Sequence, residues 1–573
     1  MKQKERLIII VLFILALGSA ILFLPGIRHF IIFSAESVLK KTLFRDFWFL
    51  FLRNMAITGF FIAATGGFAF LTKTGKALCI ECRDVWKQEF LSFAHKRYLI
   101  WFLVLTAILL LGILTIIRAN FSYCDDLDRA LKGYRGWSVW GRYIADFLST
   151  IINMNLRLTD ISPLTQIFAV LILAASTLIF LKALTQDKIT VSALVAAIPI
   201  GLSPYFLENY SYKFDAPYMA LAVFFSIIPF LFYQKTAVFC ITSFFCLIAM
   251  CMSYQAASGI YIVMVLIIAC RFFVSNEIPA KNIIIFITAG IASYLGALLF
   301  FKTILLVSMP GGSDSTTALS LNLLFPGIVS NSIIYIKTII ADFRGNLLFV
   351  LIPLSILLFI IVNIFSSKRN RVLTLAVMLI GIPVMFILSY GAYLALQNPS
   401  WMPRAFIGFG VFTAAVLTYA VTMPVTNKAL KFCSIAAALL VSYNFLVIDL
   451  SYGNALAEQK QYQNFRTALL VADINRSLDN SPVEPVVRIE NNIGHSPVID
   501  NISKTCPLVK RLVYIALSGG HEWGHLPLHY YRFNHIADYE YADDNLFSGL
   551  PVLIDNNYHT IRGDGKYFFV TLK

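Results

Sequence analysis

The sequence predicts an all-α polytopic membrane protein with a small α/β domain at its C-terminal end. Hydrophobic residues make up 58% of the 573 residues, charged residues only 13%, and the mean hydropathy is +0.76. Soluble domains are about 45–50% apolar and about 25% charged, so no soluble fold of this length can bury so much apolar surface. Apolar runs close to the roughly 20 residues that cross a bilayer also recur along the chain. Lipid is therefore expected to cover much of the protein.

A hydropathy window of about 19 residues predicts about 13 transmembrane helices. The predicted spans are residues 7–24, 48–71, 98–117, 163–182, 189–206, 216–233, 236–252, 256–274, 282–306, 346–365, 372–394, 404–424 and 428–448. The first run follows Lys2, Lys4 and Arg6, as in a signal peptide, but it is too long and lacks a small-residue cleavage site. We expect it to be a retained span.

Basic residues in the short loops predict which side of the membrane each loop faces. Loop 72–97 and the run at 368–371 are rich in Lys and Arg and are expected in the cytoplasm. The N-terminus then lies inside, and the outer face receives segments 118–162, 203–215, 309–345, 395–403 and 449–573. Loop 25–47 is also basic but falls outside, so the first two spans fit this rule least well. The basic loops account for the net charge of +15, and no nucleic-acid partner is expected.

Residues 449–573 are polar and have a different pattern from the rest of the chain. A helical stretch at 454–478 is followed by the strand-like runs PVVRIE, LVYIAL and KYFFVTL, which Asn, Asp and Gly turns separate. The sequence therefore divides into an N-terminal two-span extension with a basic loop (1–97), a transmembrane domain (98–448) and a small α/β domain (449–573).

The first large outer loop, residues 118–162, is the segment most favourable to chemistry. It is long and aromatic, and it combines Asp125, Asp126, Asp128, Asp146 and Asp160 with Arg129, Lys132, Arg135, Arg142 and Arg157. Residues 141–153 within it are amphipathic and predict a helix on the membrane surface. A carboxylate is the usual general base, and the planar guanidinium of Arg suits phosphate. A solvated loop held by salt bridges is the alternative, with equal weight on composition alone.

Asp125 and Asp126 are adjacent, so in a helix they point about 100° apart and cannot share one task. One of them is expected to face a substrate, while the other holds Arg129, which follows three to four residues later. The residues alone leave the assignment open.

Further candidates lie outside the first cluster of acids. Tyr134, Trp137 and Tyr210 can stack on sugar rings, although Tyr and Trp also anchor proteins at the bilayer interface. Lys213 and Asp215 occupy the second outer segment, and a carboxylate at the start of a span is costly unless it is used or paired. Lys302 and Arg404 lie at outer ends of apolar runs, where each can bind a phosphate or extend to the interface.

The runs YCDDLDRALKGYRGW, GRYIADFLSTIIN and DISPLTQ, and the later LENYSYKFDAPYMALA, resemble motifs of the serotype-converting O-antigen glucosyltransferases, the Gtr type II family. The resemblance extends over about residues 98–450, and the C-terminal domain carries no matching motif. It implies a GT-C type membrane fold in the bacterial inner membrane, with the C-terminal domain in the periplasm. It also implies an undecaprenyl-phosphate-linked glucose donor, a lipid-linked O-antigen acceptor in contact with membrane lipids, and a central aspartate at Asp125 or Asp126.

The resemblance turns the candidate residues into specific expectations. Asp125 or Asp126 is expected to act as the base. Arg404, Lys302, Arg129 and Arg142 are expected to bind the donor phosphate, and the sugar or acceptor is expected to contact Asp128, Tyr134, Trp137, Tyr210, Lys213 and Asp215. No metal ligand is assigned, although paired carboxylates leave a divalent metal ion as an open alternative.

Two other functions remain as alternatives. A transporter or flippase of a lipid-linked sugar would carry ionisable or broken positions near the bilayer midplane, whereas here the charge gathers at the outer surface. A zinc peptidase is suggested by His521, Glu522 and His525, which fit H-E-x-x-H. Gly519, Gly520 and Pro527 make that stretch a poor helix, so the geometry required for zinc is not expected.

Overall fold

The computed structural model describes residues 73–306, 317–478, 485–520, 523–531, 533 and 544–573. The predicted spans at 7–24 and 48–71, and most of the predicted two-span extension, lie outside the described residues. The described chain is mostly helical, with one small sheet near its C-terminal end.

The α-helices of the described residues are numbered in chain order. They are α1 (Lys73–Ser92), α2 (Lys96–Ala119), α3 (Asp126–Lys132), α4 (Tyr143–Asn153), α5 (Leu164–Thr185), α6 (Val191–Ala197), α7 (Leu207–Ser211), α8 (Ala216–Ile227), α9 (Thr236–Cys251), α10 (Ser258–Ser275), α11 (Ala280–Phe300), α12 (Leu324–Phe343), α13 (Leu348–Ser366), α14 (Arg371–Leu388), α15 (Gly408–Thr422), α16 (Lys428–Ser477), α17 (Pro497–Ile502), α18 (Pro507–Leu512) and α19 (Leu526–Tyr530).

Within the described ranges, eight helices are long and apolar enough to cross a membrane. Seven of them, α2, α5, α10, α11, α13, α14 and α16, match predicted spans. The predicted span 189–206 is instead two pieces, Val191–Ile200 and Pro204–Ser211, bent by 43°. The predicted spans at 216–233, 236–252 and 404–424 correspond to shorter apolar helices. The chain is a membrane protein, and the expected count of about 13 is not reached by this criterion among the described residues.

One end of the bundle, which we call the polar end, gathers segments that are distant in sequence. The Tyr123 hydroxyl donates to the carbonyl of Leu512 (2.8 Å), and the Gln255 amide donates to the carbonyl of Trp140 (2.9 Å). The polar end comprises residues 120–162, 203–215, 252–257, 389–406 and 508–512. These include most of the segments that the basic loops predicted for one face of the membrane.

The opposite end of the bundle carries the basic loops. The backbone N–H of Lys368 donates to the carbonyl of Val274 (3.0 Å), and Arg271 donates to the carbonyl of Leu184 (3.2 Å). Lys182 pairs with Glu89 of α1 (2.6 Å). The fold therefore separates the positively charged loops from the acidic cluster by the length of the bundle.

Helix α12 corrects the prediction that residues 309–345 form only a loop. Its Asn, Ser, Lys and Asp residues reduce its mean hydropathy to 1.5, the lowest of the eight helices. The hydropathy window therefore did not predict a span here. Leu319, before its start, donates a backbone N–H to the carbonyl of Ala395 (2.9 Å). Asp342, at its end, accepts a hydrogen bond from Tyr205 (2.8 Å). Both ends of α12 thus contact the polar end, so α12 runs along that end of the bundle.

Helix α16 continues for 50 residues, through the expected domain boundary at 448–449 and into the C-terminal region. There Leu470 and Ile474 pack on a sheet of β1 (Val486–Glu490), β2 (Val552–Asp555), β3 (His559–Gly563) and β4 (Tyr567–Leu572). The strand order is β1-β4-β3-β2, with β1 parallel to β4 and the other pairs antiparallel.

The strands predicted at PVVRIE and KYFFVTL are confirmed as β1 and β4, but the one at LVYIAL is wrong. Leu512 ends α18, and its carbonyl accepts hydrogen bonds from Tyr123 and Tyr452 of the bundle. The carbonyl of Leu512 is therefore not available to a neighbouring strand. Leu512 and Val513 bury against the helices of the bundle, whereas Leu517 packs in the core beside the sheet without forming a strand.

Close packing of α2 on α16 depends on a small residue at Gly453. A Cβ at this position would overlap the Thr115 hydroxyl and the backbone nitrogen of Ile116. Small residues of this kind allow membrane helices to approach closely.

We expect Gly453→Ala to lower the melting temperature of the detergent-solubilised protein, because overpacking typically costs about 1–3 kcal/mol. Gly381→Ala is the matched control, since nothing lies within 4 Å of a Cβ there. A melting temperature for Gly453→Ala equal to that of the control would contradict this packing.

Candidate active site at the polar end

Arg129 is the centre of a buried charge cluster. Its Nε donates to Asp125 Oδ2 (2.9 Å) and lies 3.9 Å from Asp215 Oδ2. Its guanidinium lies over the ring of Trp137, 4.2 Å from the centroid, and the Trp137 indole N–H donates to Asp215. The cluster therefore joins the first outer loop to the residue that precedes α8.

Local sequence explains how Arg129 returns to Asp125. Asp125 stands at the N-terminus of α3, and four residues later Arg129 lies one turn along the same face. Gly133, with φ of 71°, ends this short helix in a left-handed conformation that favours glycine. A Cβ at Gly133 would also overlap the side chain of Arg157.

Asp125 and Asp126 have different environments. The Asp125 side chain retains 15% exposure. Asp126 is 1% exposed, and its Oδ2 accepts the backbone N–H groups of Tyr123 (3.0 Å) and Lys213 (3.1 Å). Burial, and next the charge of Asp125, raises the pKa of Asp126 well above its usual value, against the two N–H donors. Asp126 therefore ties the segments around Tyr123 and Lys213 together, whereas the Asp125 side chain stays partly exposed.

A second ion pair lies beside the first cluster. Glu208 Oε2 accepts the backbone N–H of Arg404 (2.8 Å), and its Oε1 lies 3.4 Å from Arg404 Nη1. The guanidinium of Arg404 also lies 5.0 Å from the ring centre of Tyr212. Glu208 is 2% exposed and was not among the predicted site residues. Its only sequence signal is the polar run LENYSYKFD inside an otherwise apolar region.

Arg142 contributes a third guanidinium. Its Nε donates to Gln255 (3.2 Å), and it lies 4.8 Å from the ring centre of Tyr254, whose hydroxyl donates to the carbonyl of Arg404 (3.3 Å). Arg142 makes no ion pair with a described residue. Its charge is therefore available to an anion.

The two clusters are neighbours, because the Tyr212 ring beside Arg404 packs on the ring of Tyr123 (4.9 Å between centres), and Tyr123 donates its backbone N–H to Asp126. Burial, and then the charge of Asp125, raises the pKa of the Cys124 thiol to about 12, while the positive charge of Arg404 opposes the rise. Both charges therefore act on one half-buried thiol. Together, a partly exposed carboxylate and basic groups line the same side of the polar end.

Three other predicted site residues, Asp128, Lys213 and Tyr134, contact partners of their own or flank Arg129. Asp128 pairs with the exposed Lys132 (2.6 Å), and Lys213 pairs with Asp160 (3.1 Å). Tyr134 flanks Arg129, 5.1 Å from ring centre to guanidinium carbon.

The exposure of Trp137, Tyr210 and Lys302 decides whether each side chain can reach a ligand. Trp137 is 1% exposed, and Tyr210 is fully buried with its hydroxyl donating to the carbonyl of Gly201 (3.1 Å). Neither ring face is open to a sugar in this conformation. Lys302 is exposed on the turn Phe301–Leu305 that follows α11, beside the segment that begins at Gly141.

No metal centre is formed by the described residues, among which no group of three or more His, Cys, Asp or Glu side chains could hold an ion. The H-E-x-x-H motif lies partly outside the described residues, because His521 and Glu522 are not described.

Comparison with known proteins identifies the family. Residues 114–416, more than half of the chain, match the GtrII glucosyl transferase family. The chain belongs to the GtrII glucosyl transferase family. It is also 32% identical over 234 residues to an uncharacterized 55.3 kDa protein in the gtrB 5′ region of Salmonella phage P22. That match covers 39% of this chain and 47% of the phage protein, so the chain spans about half the length of this curated relative. No solved structure matches.

The GtrII region contains the whole charge cluster, from Asp125 and Arg129 to Glu208 and Arg404. It begins inside α2 and ends inside α15, so the C-terminal sheet lies beyond it. The resemblance first read from the outer-loop motifs is therefore confirmed at the level of the family.

We expect Asp126→Ala to lower the melting temperature far more than Asp125→Ala. The first change leaves two buried backbone N–H groups without their acceptor, at about 1–3 kcal/mol each, whereas Asp125 is partly exposed. Thermal unfolding of both purified variants in detergent measures the difference. A larger loss for Asp125→Ala would show that Asp126 does not hold these segments together.

Proposed function

We propose that this GtrII protein transfers a glucosyl residue from a polyprenyl-phosphate-linked donor, undecaprenyl-phosphate-glucose, to the O-antigen of a lipid-linked acceptor. The observation that carries the proposal is the partly exposed Asp125 carboxylate, anchored by Arg129 at the same end of the bundle as Arg404. Family membership supports glucosyl transfer, and the charge cluster supports the chemistry.

Asp125 is the proposed general base. Its Oδ2 is fixed by Arg129, which leaves Oδ1 to accept the proton of the acceptor hydroxyl. The hydroxyl oxygen then forms a bond to the anomeric carbon as the bond from that carbon to the phosphate oxygen breaks. In-line displacement inverts the anomeric configuration. Asp126 is the weaker candidate, because both its burial and its two N–H donors commit it to the backbone.

Positive charge is needed where the phosphate departs, and Arg142 and Arg404 are proposed to supply it. Among the described residues, Arg142 forms no ion pair with a carboxylate, and Arg404 forms one, with Glu208. Fixed guanidinium groups in a site of low polarity stabilise a developing anion without reorganising. Arg129 already serves two carboxylates and is the less suitable phosphate ligand.

We further propose that the polar end faces the periplasm from the bacterial inner membrane, with the N-terminus in the cytoplasm. The basic loops at the opposite end support this orientation through the positive-inside rule. A lipid-linked donor can then enter sideways between helices with its phosphate at the level of Arg404.

We expect Asp125→Asn to reduce the turnover number about 10²–10⁴-fold, the usual contribution of a general base, while the protein remains folded and its melting temperature falls less than that of Asp126→Ala. The assay follows release of polyprenyl phosphate from labelled donor in detergent with acceptor present. Asp84→Asn, a change of an exposed carboxylate on α1, is the control. Full activity of Asp125→Asn would refute the base assignment, and unchanged donor in the wild-type reaction would favour transport instead.

We expect Arg142→Gln to raise the KM for the donor about 10-fold or more, because a hydrogen bond to a charged group contributes about 1.5–3 kcal/mol. Arg142→Lys keeps the charge but loses the planar fork, and an intermediate KM is expected. Initial rates over a range of donor concentrations, at saturating acceptor, give kcat and the KM for the donor. Identical KM values for all three proteins would exclude Arg142 from donor binding.

A further inference from the structure

A basic cavity lies where the C-terminal end of α12 meets the C-terminal region. It has a volume of about 550 Å³, and its lining includes Lys337, Ala341, Arg344, Gly345, Lys504 and Pro507. The carbonyl of Lys504 comes within 3.2 Å of a Cβ built on Gly345, so the two chain segments meet closely at its floor. None of these residues takes part in the proposed transfer.

The cavity concentrates uncompensated positive charge. Lys337 lies on α12, Arg344 is the residue that directly follows this helix, and Lys504 approaches from the C-terminal region. All three side chains are exposed, and none forms an ion pair with a described residue. The nearest carboxylate on the helix, Asp342, is buried and bonded to Arg511 and Tyr205. The cavity therefore has the electrostatic character of an anion site.

The surface beside the cavity is apolar and uncovered. Ile340 is 49% exposed, Leu347 68% and Val350 62%. An apolar surface of this kind, continuous with exposed residues of the spanning helix α13, is suited to acyl chains. A ligand that satisfies both surfaces has a phosphate joined to a hydrocarbon tail.

We propose that this cavity binds the phosphate headgroup of an anionic phospholipid of the surrounding bilayer. Lys337, Arg344 and Lys504 neutralise the phosphate, and the acyl chains lie against the exposed face of α12 and the start of α13. A lipid bound there bridges the helix and the C-terminal region, and so fixes that region at the membrane surface. A soluble phosphate would use the cations but would leave the apolar flank uncovered.

The test uses the full chain in nanodiscs of phosphatidylcholine, with or without phosphatidylglycerol, and native mass spectrometry to count retained lipids. The wild type is expected to retain phosphatidylglycerol selectively and to melt at a higher temperature when that lipid is present. Lys337→Gln, Arg344→Gln and Lys504→Gln combined should weaken retention at least about tenfold. The exchange of Lys for Arg and Arg for Lys at the same positions, which keeps the charge, should restore it.

Two outcomes would overturn the proposal. One is unchanged phosphatidylglycerol retention in the triple Gln variant. The other is a full stabilising shift from inorganic phosphate added to phosphatidylcholine nanodiscs, which would make the ligand a soluble anion. Because the three side chains are exposed, the variant is expected to fold, and Lys504→Gln alone provides a milder version. Neither readout depends on glucosyl transfer, so the two proposals fail or succeed separately.

Discussion

The arrangement of the polar end depends on the need to compensate buried charge. Asp125 and Asp215 approach the same guanidinium, and removal of Arg129 would leave two carboxylates facing each other in a site that little water reaches. Breaking a buried pair by removing one partner typically costs about 3–5 kcal/mol. Trp137 adds a ring face on one side of the guanidinium and an N–H donor for Asp215. Arg129, together with the backbone bonds of Asp126, therefore positions residues 118–162 and the partly exposed carboxylate of Asp125.

The C-terminal region is built into the polar end of the bundle. Arg511 donates to Asp342 of α12 and to the carbonyl of Trp401, and Lys460 caps the end of α2 by donating to the carbonyl of Asn120 (2.7 Å). These contacts join the sequence beyond the GtrII match to the residues that surround the charge cluster. The region therefore braces the site even though it contributes none of the proposed reacting groups.

The sequence predicted the parts of this structure that depend on the spacing of nearby residues. The i,i+4 relation of Asp125 and Arg129, the spanning helices and the strands β1 and β4 all follow from residues close together in the chain. The contrast between Asp125 and Asp126 does not, because it depends on the N–H of Lys213, far away in sequence. The Glu208–Arg404 pair and the burial of Tyr210 are likewise products of packing. Helix α12 was not predicted as a span because its polar residues lower its mean hydropathy.

Helix α16 has a geometric consequence for how the protein can change over evolution. At 1.5 Å per residue its 50 residues extend about 75 Å without a break. A single inserted residue between bundle and sheet would turn the sheet by about 100° and separate Arg511 from Asp342. An insertion or deletion within α16 is therefore expected to disrupt the contacts of the C-terminal region unless its length nearly restores the helical phase. Helix α16 therefore sets both the rotation of the C-terminal sheet and its distance from the bundle.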